Sequence, residues 1–337
     1  MSENLLSVNG LQKRFDVGGG FFGWGKTGID AVSGISFDVA RGETLAIVGE
    51  SGCGKSTVGR CILSLVKPTD GKIYLEGHRI DSLSTNEIRD LRRSIQIVFQ
   101  DPFSSLNPRQ RVGDAIAEPL TNFGLAASRS ELMEKVNELL QLVGLPQECA
   151  DRWPHEFSGG QRQRIGIARA LASSPKVIIC DEAVSALDVS VKAQIINLLR
   201  DLQEKTDVAF VFISHDLAIV ENIAHRVAVM YLGKIVELAP TKEIIFSPAH
   251  PYTRALLSAV PIADPTRRRV REVIKGEIPS PANPPTGCRF HTRCPYAYDR
   301  CRTEEPKLKD RDSGHAVACH LTELPADEGA IVADAAR

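Results

Sequence analysis

Apolar residues along this chain fall into short runs bounded by glycine, proline and charged residues. Thr44 to Val48, Ile95 to Phe99, Val177 to Cys180, Ala209 to Ile213 and Arg226 to Tyr231 each have the length and composition of a strand. Helix-forming stretches separate them, and that alternation predicts an α/β fold with a largely parallel sheet. One stretch breaks the rhythm. Between Asp101 and Gly160 there is no good strand, and Leu132, Val136, Leu139, Leu140 and Val143 fall at helical spacing behind a Ser128/Glu131 capping box. A helical insert is therefore expected over about residues 101–160. After about Pro248 the periodicity dissolves, and Pro261, Pro265, Pro279, Pro281, Pro284 and Pro285 punctuate a loop-rich segment. The pattern predicts a main domain over 1–250 and a small appended domain over 251–337. No internal repeat is visible, and Gly18 to Gly28, with Phe21, Phe22 and Trp24, reads as an exposed loop.

Three of the strands lead into chemistry. Thr44 to Val48 runs into Gly49-Glu50-Ser51-Gly52-Cys53-Gly54-Lys55-Ser56-Thr57, which matches the Walker A phosphate loop in its expected strand-to-helix context. Its glycines let backbone N–H groups surround a phosphate, and the next helix, expected over Lys55 to Val66, adds its positive dipole end. Lys55 would reach the β- and γ-phosphates, and Ser56 would ligate Mg²⁺. Val177 to Cys180 ends in Asp181-Glu182, adjacent carboxylates of the kind that Mg²⁺-assisted hydrolysis requires. Asp181 would hold the metal and Glu182 the water. Ala209 to Ile213 ends in Ser214-His215-Asp216, where His215 can touch a γ-phosphate. Ser158-Gly159-Gly160-Gln161, ahead of the helix-forming run Arg162 to Ala172, is a further helix start of the anion-binding kind.

Composition narrows the class. Over 337 residues, 43% hydrophobic and 25% charged residues are the balance of an ordinary folded protein, and a net charge of −1 gives no basic bias toward nucleic acid. Met1 to Phe15 lacks a secretory pattern, and runs such as Val208 to Ile213 fall far short of a membrane span, so a cytosolic chain is expected. Cys53, Cys61, Cys149 and Cys180 are scattered, whereas Cys288, Cys294, Cys301 and Cys319 crowd the end as C-x5-C-x6-C-x17-C. In a reducing compartment that cluster points to metal rather than disulfides. Four thiolates could hold zinc, an iron–sulfur cluster or nothing, and tight C-x2-C knuckles are missing. His291, His315 and His320 could ligate instead, but surface or hydrogen-bonding roles are the plainer expectation. Arg267-Arg268-Arg269 with Arg271 reads as a solvated face.

In order, the chain carries Walker A, a glutamine loop (Gln100), a signature (Ser158 to Gln161), Walker B (Asp181-Glu182), a D-loop (Ala186 to Asp188) and a His-switch (His215). Over about residues 5 to 250 it resembles the ATP-binding subunits of ABC transporters. The resemblance implies a P-loop ABC-type core with a helical subdomain, and two such subunits arranged head to tail. Each ATP would lie on one subunit's Gly49, Gly52, Cys53, Gly54, Lys55, Ser56 and Thr57, and under the other's Ser158, Gly159, Gly160 and Gln161, with Asp188 nearby. It assigns Gln100 to Mg²⁺ and to signalling toward membrane subunits, Glu182 to the general base, His215 to the γ-phosphate and Phe15 to adenine. A core role for Phe15 stays open.

Gln100-Asp101-Pro102-Phe103-Ser104-Ser105-Leu106-Asn107-Pro108, Asp181 to Ser190 and His250-Pro251-Tyr252-Thr253-Arg254 resemble the dipeptide/oligopeptide importers, and within them the second of two ATPase types. That resemblance implies a homologous ATPase partner, two membrane permeases, an external binding protein and a peripheral place on the cytoplasmic face of the membrane. Glutathione or nickel uptake would use a similar chain, and a soluble ABC ATPase of DNA repair or translation is the other class. For some members of the group a [4Fe–4S] cluster on Cys288, Cys294, Cys301 and Cys319 is implied. As a staple for a loop-rich segment, its loss would be expected to leave nucleotide contacts intact.

Overall fold

A computed structural model of the chain describes residues 4–17, 27–101, 105–259, 274, 276–312, 314–322 and 324. Most of the Gly18 to Gly28 loop, Pro102 to Ser104, Pro261, Pro265 and the arginines at 267–269 and 271 lie outside the described residues. The chain forms two compact units. One comprises residues 1–11, 36–46 and 56–214, the other residues 12–35, 47–55 and 215–337.

The strands are β1 (Leu6–Val17), β2 (Thr27–Val39), β3 (Thr44–Val48), β4 (Asp70–Leu75), β5 (His78–Arg79), β6 (Ile95–Val98), β7 (Val177–Asp181), β8 (Ala209–Ser214), β9 (Arg226–Tyr231), β10 (Lys234–Pro240), β11 (Lys309–Asp312) and β12 (His315–Val317). The helices are α1 (Lys55–Ile62), α2 (Thr85–Ser94), α3 (Val112–Asn122), α4 (Arg129–Leu142), α5 (Gly159–Leu171), α6 (Val189–Thr206), α7 (Leu217–Ile223), α8 (Thr241–Phe246), α9 (Pro251–Ser258) and α10 (Asp299–Thr303).

In the first unit the strands lie in the order β3-β8-β7-β6, with β6, β7 and β8 parallel. All of β3 and β8, and β7 up to Cys180, are buried. Their near-continuous apolar sequences are what a parallel sheet covered on both faces demands. Helix α6 buries Ile195, Ile196, Leu198, Leu199 and Leu202 on one face, and the buried Gln203 amide donates to Thr44 Oγ1 and to the Val208 carbonyl. Helices α3 and α4 and two 3-10 turns (Gln147–Asp151 and Pro154–Glu156) fill the stretch before α5. At α4, Ser128 Oγ accepts from Glu131 N at 3.2 Å, whereas Glu131 reaches back one residue further than a capping box requires, to Ala127 N.

Helix α1 ends at Ile62 rather than at Val66. Ser64 turns left-handed (φ 53°), and the Leu65 and Val66 amides fold back onto the Arg60 carbonyl.

The second unit departs from the expected parallel pattern. Its strands run β11-β12-β10-β9-β3, and β9, β10, β12 and β11 pair antiparallel in turn. β11 and β12, from the loop-rich extension, thus pair with each other on the edge of β10, held also by the buried Glu237 carboxylate. Its oxygens accept from Ala249 N, His250 N and the His315 ring.

Candidate functional site

In the first unit the parallel register gathers the acidic site. β6 and β7 pair with Val98 beside Cys180, so Gln100, two residues past that pair, comes level with Glu182. Gln100 Nε2 donates to Glu182 Oε2 at 2.9 Å. Asp181, the last residue of β7, accepts from Ser56 Oγ at 2.8 Å in α1. Glu182 leaves the strand left-handed (φ 50°), with its N–H on the Ile213 carbonyl and its own carbonyl bound by Ser185 N and Oγ. Such a conformation costs a bulky residue about 1–3 kcal/mol and persists where its surroundings hold it, as Ser185 does here.

The signature residues open α5. Ser158 is the N-cap, its Oγ accepting from Gln161 N at 3.3 Å while Gln161 Oε1 accepts from Ser158 N at 3.0 Å. Gly159 and Gly160 form the first turn, so their N–H groups head the helix dipole. Gln163 Nε2 donates to the Phe99 carbonyl at 3.4 Å, tying this helix to the residue before Gln100. Asp188 caps α6 by its carbonyl, which accepts from Lys192 N, and its side chain is exposed.

In the second unit the phosphate loop wraps its own lysine. Lys55, 4% exposed, donates from Nζ to the Gly49 carbonyl at 2.8 Å and the Glu50 carbonyl at 3.0 Å, with Cys53 Sγ at 3.8 Å. Burial pushes the Cys53 thiol up despite that ammonium. Gly54 has φ 106°, and a Cβ there would stand 2.1 Å from the Ala31 carbonyl oxygen. The backbone approach excludes any side chain at that position. Thr57 continues α1 in the first unit, next after Ser56. Phe15, 38% exposed on β1, carries the Lys13 ammonium 4.9 Å from its ring centre, so it is not a core residue. His215, exposed, directly follows β8.

Sequence reasoning missed three residues here. Glu50, inside the loop, is gripped by Arg293, whose Nη1 and Nη2 reach Oε2 and Oε1 at 2.7 and 3.0 Å, and its N–H is bound by Tyr252 Oη at 2.9 Å. A carboxylate within an anion-binding loop is a local conflict that calls for a countercharge, and that was the available signal.

Cys288, Cys294, Cys301 and Cys319 line one cavity with Phe290, His291, Tyr296 and His320. None of the four is joined in a disulfide. Burial, with the neighbouring cysteines adding to it, pushes Cys288 up to about 12. The three histidines have hydrogen-bonding roles: His291 Nδ1 meets the Cys288 carbonyl, His320 Nε2 the Glu304 carbonyl, and His315 the Glu237 carboxylate. Among the described residues no group of three or more His, Cys, Asp or Glu is arranged to hold a single metal ion.

A glycine-rich loop between a buried strand and a helix, with strand-end carboxylates, defines a P-loop nucleotide-binding fold. Solved structures agree. The chain superposes on cbiO1 of Clostridium perfringens, part of the ABC transporter complex cbiONQ, with a TM-score of 0.63 and 30% identity, over 72% of this chain and 90% of that one. For the ATP-binding cassette MJ0796, a dimer in a post-hydrolysis state bound to ADP and Pi, the TM-score is 0.62 with 28% identity, over 70% and 98%. Residues 32–185 match the ABC transporter family, and residues 236–301 match the oligopeptide/dipeptide transporter C-terminal region. The chain is 55% identical to the probable peptide ABC transporter ATP-binding protein y4tS of Sinorhizobium fredii, covering 95% of this chain and 91% of that protein. It is 52% identical to the oligopeptide transport ATP-binding protein AppF of Bacillus subtilis and 49% to the di/tripeptide transport ATP-binding protein DppF of Pseudomonas aeruginosa, each over 95% of this chain and 98% of the relative. This chain belongs to the ABC transporter family of ATP-binding proteins and is an ATPase of that class.

Proposed function

We propose that the protein is the ATP-hydrolysing subunit of an importer of di- or oligopeptides, and that it works with membrane permeases. The Asp181–Ser56 bond carries the mechanistic reading, because it sets a carboxylate and a hydroxyl together as hard-oxygen ligands for Mg²⁺. The names of the relatives supply the substrate class. On this reading Lys55 and the loop N–H groups, with those of Gly49, Gly52, Cys53, Gly54 and Thr57, bind the phosphates. Ser56, Asp181 and Gln100 hold Mg²⁺, which supplies charge neutralisation at the γ-phosphate. Glu182 orients and deprotonates the attacking water, His215 fixes the γ-phosphate, and Phe15 lies against adenine. Phosphoryl transfer of this kind needs positioning and charge more than covalent chemistry. Ser158, Gly159, Gly160, Gln161 and Asp188 would serve an ATP held by a homologous partner subunit. A substrate-binding protein outside the membrane would deliver cargo, and this chain would sit peripherally on the cytoplasmic face. Among the described residues no helix is long and apolar enough to cross a membrane.

We infer that Cys288, Cys294, Cys301 and Cys319, which line one cavity, would hold a [4Fe–4S] cluster, with zinc as the alternative. A cluster takes its thiolates at wider spacing around a larger body, as cysteines lining a shared cavity do. When bound, it would lower the thiol pKa values and staple residues 288–319.

The test is reconstitution with the membrane permeases of a peptide importer. Membrane co-fractionation and ATP hydrolysis stimulated by a peptide-loaded binding protein are expected. Stimulation by nickel or glutathione alone would overturn the peptide assignment, and failure to fractionate with a permease would overturn the importer reading.

A further inference from the structure

Glu50 is held at three points from outside its own turn. Tyr252 binds its N–H, Lys55 its carbonyl, and Arg293 both carboxylate oxygens. The ion pair is well shielded, with 7% of the Arg293 side chain and 23% of Glu50 exposed. Its forked geometry fixes orientation as well as charge. Arg293 also lies over Tyr231, whose hydroxyl it reaches at 3.3 Å. Tyr231, Tyr252 and Phe290 pack ring to ring at centroid distances of 4.8, 5.2 and 5.3 Å, all at most 1% exposed. Phe290 in turn lines the cavity of the four cysteines, and Arg293 stands immediately before Cys294. Two backbone turns, His291 N to Cys288 O and Arg293 N to Phe290 O, fold the intervening residues compactly.

We propose that Arg293 is a positioning residue for the phosphate loop, through which the cysteine-bearing segment 288–294 sets the loop's affinity for nucleotide. Nucleotide binding at Lys55, proposed above, is its premise. Two effects act together. Arg293 neutralises Glu50, whose charge would otherwise repel a triphosphate five residues from the phosphate-binding lysine. It also fixes the loop before nucleotide arrives, which lowers the ordering that binding requires. Linkage then works in both directions: nucleotide binding tightens segment 288–301, and loosening that segment weakens nucleotide binding by the same factor. On this proposal, loss of a cysteine-held group would also weaken nucleotide binding, where the sequence alone led to the expectation of intact nucleotide contacts.

The experiment titrates the full-length chain with a fluorescent ATP analogue and Mg²⁺, and follows hydrogen exchange in residues 288–301. Arg293→Gln should weaken binding about tenfold, equivalent to about 1.4 kcal/mol, and Arg293→Lys, which keeps the charge and loses the fork, should fall between it and wild type. Glu50→Gln, made in the loop, should speed exchange in 288–301. The double variant should bind no worse than the weaker single. Unchanged affinity in Arg293→Gln, or strictly additive losses in the double variant, would overturn the proposal. Should Arg293→Gln fail to fold, unchanged exchange in Glu50→Gln would overturn it equally. Wild-type protein that bound no nucleotide would instead defeat the premise.

Discussion

Replacing Gly54 by alanine should disable the phosphate loop by a backbone collision. The new Cβ would lie 2.1 Å from the Ala31 carbonyl oxygen, 3.2 Å from its carbon and 3.5 Å from Met230 Cε. The first contact is with main chain, so no side-chain rotation relieves it, and the loop must move by about 1 Å. Overpacking of this kind costs about 1–3 kcal/mol. The positive φ of 106° adds a left-handed penalty of roughly 1–2 kcal/mol for a residue with a Cβ. Together they give a destabilisation of about 2–5 kcal/mol. A displaced loop also misaims its N–H groups, and each charge-assisted hydrogen bond to phosphate is worth about 1.5–3 kcal/mol, so loss of one lowers affinity at least tenfold. Gly77 provides the control. It follows Glu76 in the β4–β5 turn, both with positive φ, and a Cβ added there would find nothing within 4 Å. Gly77→Ala therefore carries the conformational penalty alone and should leave nucleotide binding unchanged. Denaturation midpoints and MgATP titrations of both variants decide the matter. A Gly54→Ala protein that binds MgATP within threefold of wild type, or a Gly77→Ala protein equally destabilised, would refute the reasoning.

Glu182→Gln should bind ATP normally and lose about 10²–10⁴-fold in hydrolysis, measured in the assembled transporter; near wild-type turnover would remove Glu182 as the base. Ser158→Ala removes the cap acceptor for Gln161 N, which should lower stability by about 1 kcal/mol and, with a partner ATPase present, impair trapping of ATP at the partner's site more than at this chain's own. Equal impairment at both sites would contradict the head-to-tail arrangement. The hydrogen bond to Glu237, with Glu243 adding and Arg311 opposing, raises His315 above its ordinary value of 6.5. A raised folded-state pKa stabilises most below about 6.5 and is lost as pH rises through the raised value. Limited proteolysis of the β11–β12 hairpin should accordingly accelerate from pH 6 to pH 9 in wild type and show a flatter dependence in His315→Gln. A hairpin equally resistant at both pH values would remove the ion pair as its anchor.

Buried apolar strands were the legible part of the chain. The runs forming β3, β7, β8 and β9 are apolar at nearly every position, and Asp181, Glu182 and His215 fall at or just past the ends of β7 and β8, with Lys55 at the start of the helix that follows β3. Strands such as β1 and β2 interleave polar residues with apolar ones and gave no equally clear run. Hairpin β11–β12 is polar and short, and it exists because β10 offers it an edge, a fact that no local pattern contains. Gln100 and Glu182 are 82 residues apart, and their meeting follows from the β6–β7 register. Glu50 and Arg293, 243 residues apart, share no periodicity at all. Only the misplaced charge in the loop pointed beyond itself.

A transport ATPase that fires whenever it meets ATP would drain a cell without moving cargo. The carboxylate proposed to take a proton from water is here turned to the Gln100 amide, with a strained backbone fixing its direction. Gln100 follows a strand end, and the carbonyl just before it is tied to the helix that Ser158 opens. Freeing Glu182 thus requires a change in the very segment proposed to sense the membrane subunits. Exchange of the Gln100 hydrogen bond for one to water is thus a step that the proposed mechanism has to include.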